Sequence, residues 1–329
     1  MRGCVRLGHN AGRGNREEEP MGERIDRRDV LKTTAGALAA GLMAPLVAGA
    51  ADAPPQGRPK RPLKKAYFGL PKGGSSLVEQ FKILKEAGFD GLQLNMPAKE
   101  LPVEKVQEAL KESGLRMEGT CDSAHWRLHL SSPDASIRKA GLDTLIESMR
   151  QCKALGGTSV LLVPGVVNEQ VSYDDAYKRS QEEIRKAAPV AQELGIKIAV
   201  ENVWNNLHLS PLEAARYVDE IGSPMVGWYF DIGNVLKFGW PEQWIRILGK
   251  RIMKIHVKEY DKKLMDKQGP GAGFRTELLE GSNNWPAIMR ALDDVGYTSP
   301  DNWATIEMAG GDAARMQKLS GQLDRILAS

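Results

Sequence analysis

The sequence predicts a parallel α/β fold in which eight strand and helix units close into a (β/α)8 barrel. Beyond residue 64, short apolar runs alternate with longer segments of helical spacing that often end at a glycine. This alternation repeats eight times over about 265 residues, which is the usual length of such a barrel. An open doubly wound sheet is the alternative, but no Gly-rich dinucleotide loop follows the first strand, which disfavours it.

The elements of the first half follow from this alternation. Strands are predicted at "KAYFGL", "FDGLQLN", "LRMEGTC" and "GTSVLLVPG", and helices at "SSLVEQFKILKEAG", "PVEKVQEALKESG" and residues 134–155.

The second half repeats the same theme. Strands are predicted at "IKIAVEN", "VGWYFDIGN", "IMKIHVK" and "WATIEM", and helices near residues 173–194, 211–221, 241–249 and 285–295, with a closing helix at the C-terminus. Residues 259–284 are expected to form a long irregular loop, and loops of that length are usually functional or mobile.

The N-terminal region, residues 1–51, resembles an export signal. Arg27 and Arg28 precede a short Ala/Gly/Leu run and then the small residues "AGAADA", which favours a cleavable twin-arginine signal starting at Met21, with residues 1–20 upstream of the true start. A buried Ala-rich helix or a membrane anchor is the alternative, although a span needs about 20 apolar residues. The expected product is periplasmic or otherwise exported and free of the membrane, with a linker over 52–64 and a catalytic barrel over 65–329.

The charge balance gives no reason to bind nucleic acid. The chain has 45 Lys and Arg against 42 Asp and Glu; eight of these basic and six of these acidic residues lie in 1–51, which leaves 37 against 36. Cys121 and Cys152 are then the remaining cysteines, and two buried thiols are expected rather than a disulfide framework.

The segment "RIMKIHVKEYD" contains one of five histidines within a short strand. Because side chains alternate along a strand, Lys254, His256 and Lys258 share one face, whereas Ile255 and Val257 share the other. In a barrel the aliphatic face packs under the helices, so the polar face is predicted to point inward.

The other late strands show the same parity. Each of the four ends with one residue that can bind a metal: Glu201, Asp231, His256 and Glu307. Three carboxylates so close together would raise one another's pKa unless a cation lay among them. Oxygen-rich ligation with one nitrogen suits Mn²⁺ best, with Mg²⁺, Co²⁺ or Zn²⁺ as alternatives. The alternative is that each is a polar residue that lines the barrel and is satisfied by its neighbours, without a metal ion.

These residues carry a resemblance that extends from about residue 65 onward. The motifs "VEN", "FDIGN", "KIHVKEYD" and "TIE" resemble the xylose isomerase-like TIM-barrel superfamily, in particular exported, twin-arginine-tagged members of its sugar epimerase and isomerase branch. The resemblance implies that the four residues bind one divalent ion and that Glu201 and Glu307 form the acid-base pair. It also implies a carbohydrate substrate and is compatible with a homo-oligomer.

Several further residues are candidates for substrate binding. The candidates are Lys258, His125, Trp126, Asn234, Asn202 and Arg275. Lys258 would stabilise negative charge, Trp126 would stack on a sugar, and Arg275 would belong to a lid. Several epimerases of the branch carry a histidine at the position of Asn234, so the substrate need not be that of the known ketose epimerases. His129 and His208 are expected to be structural, His208 at a helix start or the surface.

Three other functions remain open. A metal-dependent lyase or hydrolase of 3-keto-glycosides would need the same base and cation, and a non-catalytic sugar-binding barrel would need no proton transfer. A metal-dependent DNA repair endonuclease of the same superfamily is disfavoured, because it requires additional histidines and a basic groove.

Overall fold

Eight parallel strands hydrogen-bond in chain order, and the last pairs with the first to close a barrel in this computed structural model, which describes residues 60–329. The strands are β1 (Lys64–Phe68), β2 (Gly91–Met96), β3 (Arg116–Asp122), β4 (Ser159–Leu162), β5 (Lys197–Glu201), β6 (Val226–Asp231), β7 (Ile252–Val257) and β8 (Trp303–Ile306). The predicted fold is therefore confirmed. The predicted signal and most of the predicted linker lie outside the described residues.

The helices surround the barrel. They are α1 (Leu77–Glu86), α2 (Val103–Ser113), α3 (Ala135–Ala154), α4 (Tyr173–Leu194), α5 (Pro211–Ile221), α6 (Ile232–Val235), α7 (Pro241–Leu248), α8 (Lys262–Gln268), α9 (Trp285–Asp294) and α10 (Ala313–Leu327). Local signals explain several bounds: the Ser210 hydroxyl caps α5, and Gly195 and Gly222 end α4 and α5 in the left-handed conformation that glycine adopts without strain.

Alternation along the strands sorts the side chains into two cores. Outward residues such as Val200, Phe230 and Ile306 join a large apolar core between the barrel and the helices. Inward residues form a much smaller apolar group around Leu161 and Tyr229. The remaining inward positions are therefore available for polar groups, as the predicted parity requires.

Two predicted boundaries change. The barrel's contacts begin before residue 65, because the backbone N–H of Arg61 donates to Leu327 (3.1 Å), its guanidinium pairs with Asp293 (2.7 Å), and Leu63 is buried. Residues 259–284 are also not irregular throughout, since they contain α8 and a 3-10 segment, Pro270–Arg275. The Asp261 side chain caps α8, a signal that the length of the loop obscured.

Among the helices of residues 60–329, none combines the length and the apolar character that crossing a membrane requires.

Candidate metal centre and substrate cavity

The four predicted ligands meet at the carboxyl end of the barrel. Glu201, Asp231 and His256 are inward residues at the ends of β5, β6 and β7. Parallel pairing places Asp231 beside His256, and the backbone N–H of Glu307 continues the ladder beyond β8 by donating to Val257 (3.1 Å). Strand register alone therefore brings residues more than 100 positions apart in the chain into one layer.

The cluster is centred on one imidazole nitrogen. His256 Nδ1 lies 2.9 Å from Glu201 Oε1, 3.0 Å from Glu307 Oε2 and 3.9 Å from Asp231 Oδ2. One atom from each of the four residues lies within 4.8 Å of the others. Asp231 and His256 are buried, whereas the Glu307 side chain is 28% exposed at the mouth of the site.

Two neighbours complete the cluster. Gln93, at the middle of β2, lies with its Oε1 2.8 Å from His256 Nε2, so it accepts the hydrogen bond from that nitrogen and leaves Nδ1 facing the carboxylates. The Lys258 ammonium lies 2.8 Å from Glu307 Oε2 and 3.2 Å from Asp231 Oδ2. Sequence reasoning singled out Lys258 but missed Gln93.

The charges shift one another's pKa. Burial raises the pKa of Asp231 to about 7, although Lys258 opposes this. Burial also raises the pKa of Glu201, which its hydrogen bond with His256 partly offsets. For Glu307 the burial effect is outweighed by Lys258 and His256, which hold its pKa well below the usual range. Burial would lower the pKa of His256, but Glu307 and Glu201 raise it to about 10. The protonation state of each of these four residues therefore depends on the charges of the others.

The donor set fits a divalent cation. Asp231 Oδ2 and Glu307 Oε2 are buried and accept no well-aligned hydrogen bond, although the Lys258 ammonium lies close to both. Beside these two oxygens lie the Glu201 carboxylate and the Nδ1 of His256, whose ring is oriented by Gln93. Together they match the ligands that hard and borderline divalent ions prefer. The same four residues were predicted from the strand ends.

A cavity of about 440 Å³ opens above the cluster. Its lining includes Glu201, Glu307 and Lys258 from the cluster and the predicted residues His125, Trp126 and Asn234. His125 is buried with Nδ1 accepting the backbone N–H of Val163 (3.2 Å), and burial lowers its pKa to about 4, so it is a neutral imidazole. Trp126 is 53% exposed, as an aromatic platform at a rim would be.

Asn202, predicted as a substrate-binding residue, is not among the residues that line this cavity, and its side chain supports the turn after β6. Its amide donates to the Asp231 carbonyl (2.8 Å) and accepts from the Asp231 backbone N–H (2.9 Å) and the Trp228 indole (3.2 Å). The Asn234 side chain donates in turn to the Asn202 carbonyl (2.9 Å). Both amides therefore fix the turn that presents Asp231.

Arg275 lies in a neighbouring cavity of about 360 Å³ rather than in the first. It is exposed, and its Nη1 contacts Gln268 Oε1 at 3.4 Å. The expected surface or capping role of His208 is wrong, because His208 is buried between the rings of Tyr217 and Trp228. His129 contacts Ser131 Oγ (2.8 Å), in keeping with a structural role.

Four residues from the ends of the early strands also line the cavity and were not predicted. They are Phe68, Asn95, Asp122 and Ser123, at or near the ends of β1, β2 and β3. Asp122 is buried, and burial raises its pKa to about 6, while one oxygen accepts the Ala124 backbone N–H (3.0 Å). The rule that barrel strands present functional residues at their carboxyl ends would have found all four.

A closed parallel barrel with one acidic, histidine-containing cluster above its axis defines a class of metal-competent (β/α)8 proteins. The chain belongs to the family described as "Xylose isomerase-like TIM barrel", which matches residues 81–325. The resemblance inferred from the strand motifs is therefore confirmed at the level of the family.

Two curated relatives of this chain are named as sugar epimerases, a class of isomerase. L-ribulose-5-phosphate 3-epimerase of Salmonella typhimurium is 24% identical over 270 residues, covering 78% of this chain and 92% of the relative. The corresponding protein of Salmonella enteritidis has the same identity and coverage.

Solved structures show the same fold. The 3-keto-D-glucoside 4-epimerase of E. coli superposes with a TM-score of 0.66 at 16% identity, covering 80% of this chain and 98% of that one. D-psicose 3-epimerase, solved in the presence of D-fructose, superposes with a TM-score of 0.66 at 17% identity, covering 81% and 100%.

Proposed function

We propose that the protein is a divalent-metal-dependent sugar epimerase or isomerase that moves a proton at a carbon next to a carbonyl. The observation that supports this most directly is that Glu201 and Glu307 both belong to the metal-competent cluster and both line the same cavity. They come from the first and last of the four ligand-bearing strands, so they approach the cavity from different sides of the cluster.

The chain's own residues would divide the work as follows. Glu201, Asp231, His256 and Glu307 would hold the ion, which would polarise the sugar carbonyl and lower the barrier to losing the adjacent proton. One glutamate would take that proton and the other would return one to the opposite face of the carbon, which inverts the centre.

Lys258 and the aromatic walls would hold the substrate. The Lys258 ammonium remains charged, because Asp231 and Glu307 raise its pKa above the ordinary value despite burial. It can donate to the sugar oxygen on which negative charge develops. Trp126 would pack on the apolar face of the ring, and the neutral His125, whose Nδ1 accepts from Val163, would donate its Nε2–H to a hydroxyl group.

Proton exchange tests the proposal. The Mn²⁺-loaded protein would be incubated in D₂O with free ketoses, aldoses and 3-keto-glycosides, and deuterium incorporation and products followed by NMR. Glu201→Gln and Glu307→Gln should each abolish exchange, whereas Glu280→Gln, an exposed control, should retain it. If the protein binds one metal ion per chain but exchanges deuterium into no sugar, the proposal is wrong and a non-catalytic binding protein is the remaining interpretation. The product separates epimerisation from cleavage of a 3-keto-glycoside.

We propose Mn²⁺ as the ion and export as the destination of the chain. The carboxylate-rich donor set supports Mn²⁺, and the Arg27 and Arg28 pair followed by a short apolar run supports twin-arginine export. Residues 21–51 fused to a folded reporter should direct it to the periplasm. Replacing both arginines by lysine should stop this, and a reporter exported equally well by that variant would exclude the twin-arginine route.

A further inference from the structure

The second cavity touches the metal-competent cluster and shares a wall with the first. Lys258, Phe274 and Glu307 line both cavities. The Phe274 ring stands at the boundary, packed against Trp204 and Tyr260 with centroids 4.8 Å away in each case. The two cavities are therefore neighbouring compartments on either side of one aromatic ring.

The two compartments differ in their access to the glutamates. The first is lined by both Glu201 and Glu307, whereas the second is lined by Glu307 alone of these two. A carbon that exchanges a proton with both glutamates must lie in the first compartment. Whatever enters the second is a part of the ligand that lies beyond the reacting ring.

The size of the second compartment is that of a binding site in its own right. Its volume is about 360 Å³, against about 440 Å³ for the first. Small-molecule sites start at roughly 300 Å³, so each compartment is large enough for a ring, and a single monosaccharide would leave one of them unused.

The charge of its walls favours a neutral group. Three basic and three acidic side chains line it: Lys258, Arg275, Arg315, Glu259, Glu277 and Glu307. Arg315 is paired with Glu277, and Glu259 accepts the Trp285 indole N–H (2.9 Å) and the Leu279 backbone N–H (2.9 Å). A balanced, hydrogen-bonding wall suits hydroxyl groups better than a phosphate dianion, which would require a surplus of cations.

We infer that the substrate is a glycoside or disaccharide whose second, neutral group occupies the compartment lined by Arg275, Thr276, Met308, Ala309 and Arg315. This inference rests on the proposed function, because it takes Glu201 and Glu307 as the groups that mark the reacting ring. It assigns Arg275 to recognition of the second group, and Phe274 to the partition between the two rings.

Selective obstruction of the second compartment tests the inference. Ala309 is exposed on its wall, so Ala309→Trp would fill the space without disturbing the core. Ala154→Trp, on an exposed residue at the opposite end of the barrel, is the matched control. Deuterium exchange would be measured with 3-keto-D-glucose, 3-keto-cellobiose and 3-keto-D-glucose 6-phosphate.

The wild-type protein should prefer the disaccharide to the monosaccharide at least tenfold in kcat/KM. Ala309→Trp should lower that ratio at least tenfold, and Ala154→Trp should leave it unchanged. Equal kcat/KM for the two sugars, a ratio that Ala309→Trp does not move, or a preference for the phosphate would each overturn the inference.

Calorimetric titration with unreactive cellobiose distinguishes failure of the inference from failure of the proposed function. If no sugar exchanges deuterium, the proposed function fails by itself. Cellobiose binding that Ala309→Trp weakens would then still support the second compartment, whereas absence of cellobiose binding would refute it.

Discussion

The neutral Gln93 side chain orients the imidazole of His256 within the metal-competent cluster. Because its oxygen accepts the His256 Nε2–H at 2.8 Å, Nδ1 is the nitrogen left for the ion. We expect Gln93→Leu to weaken Mn²⁺ binding by about 10–100-fold, as loss of such a partner typically does. Gln93→Glu retains an acceptor and should bind within a few fold of wild type. Titration calorimetry measures both, and equal affinity of Gln93→Leu and wild type would contradict this role.

His208 predicts a specific dependence of stability on pH. Burial lowers its pKa from 6.5 to about 3, so it is neutral in the folded protein and protonates on unfolding below its ordinary pKa. The free energy of unfolding should therefore decrease as the pH falls from 6.5 towards 3, by about 1.4 kcal/mol per pH unit from this residue.

His208→Phe keeps a ring against Tyr217 but cannot take a proton. Comparing denaturant unfolding of the variant and wild type between pH 4 and 6.5 isolates the contribution of His208, since the other titrating groups are common to both. Identical slopes in the two proteins would mean that the imidazole is not buried as a neutral group.

At the scale of elements, Glu259 fastens the segment before α9 to the end of β7. Its carboxylate accepts N–H groups from Leu279, Asn283 and Trp285, and Gly281 packs so closely that an added Cβ would lie 2.6 Å from Glu259 Oε1. The segment follows Thr276 and Glu277, which line the second compartment, so its position affects the shape of that compartment.

We expect Glu259→Gln to destabilise the protein by about 1–3 kcal/mol, because one acceptor oxygen becomes a donor that faces other donors. Hydrogen exchange should accelerate in residues 276–285 before it does elsewhere. Glu280→Gln, nearby and exposed, is the control and should stay within about 0.5 kcal/mol of wild type. Equal unfolding midpoints for the two variants would show that Glu259 does not anchor the segment.

The elements also show what a sequence can reveal. All eight strands were found, because each is a local apolar run with turn residues around it, and α4 and α5 were placed at their observed bounds. α8 was missed, because it is short and fully buried side chains are absent from it, so it lacks the apolar spacing that predicts a helix. Its capping Asp261 was the available signal.

Across the whole barrel, the four residues of the metal-competent cluster were predictable and their partners were not. The parity rule places four polar residues inward without any knowledge of the fold's contacts. Gln93 and Glu118 depend instead on contacts across the barrel: Glu118 pairs with Lys254 at 2.9 Å below the cluster, joining β3 and β7, which are not neighbours in the sheet. Lys254, His256 and Lys258 therefore each find acidic partners, at successive depths of the barrel.

Because four separate strands supply the ligands, ion binding should stabilise the entire fold. An ion bound by the folded chain alone adds about 2.7 kcal/mol at a concentration one hundred times its Kd. Mn²⁺ should raise Tm and EDTA should reverse the rise, whereas Asp231→Asn should show little change in Tm with Mn²⁺. A Tm of wild type that does not respond to Mn²⁺ would argue against the site.

The four cluster residues lie on β5, β6 and β7 and directly after β8, which divides the molecule for the purposes of engineering. The opposite half, β1 to β3 with its following turns, supplies Phe68, Asn95, Asp122 and His125 to the cavity wall. Mutant libraries confined to these four wall residues, with Gln93 on β2 kept, should change which sugar is accepted without disturbing the four-residue cluster. Grafting β1 to β3 from a relative, with Gln93 kept, would test whether specificity and catalysis can be inherited separately within one barrel.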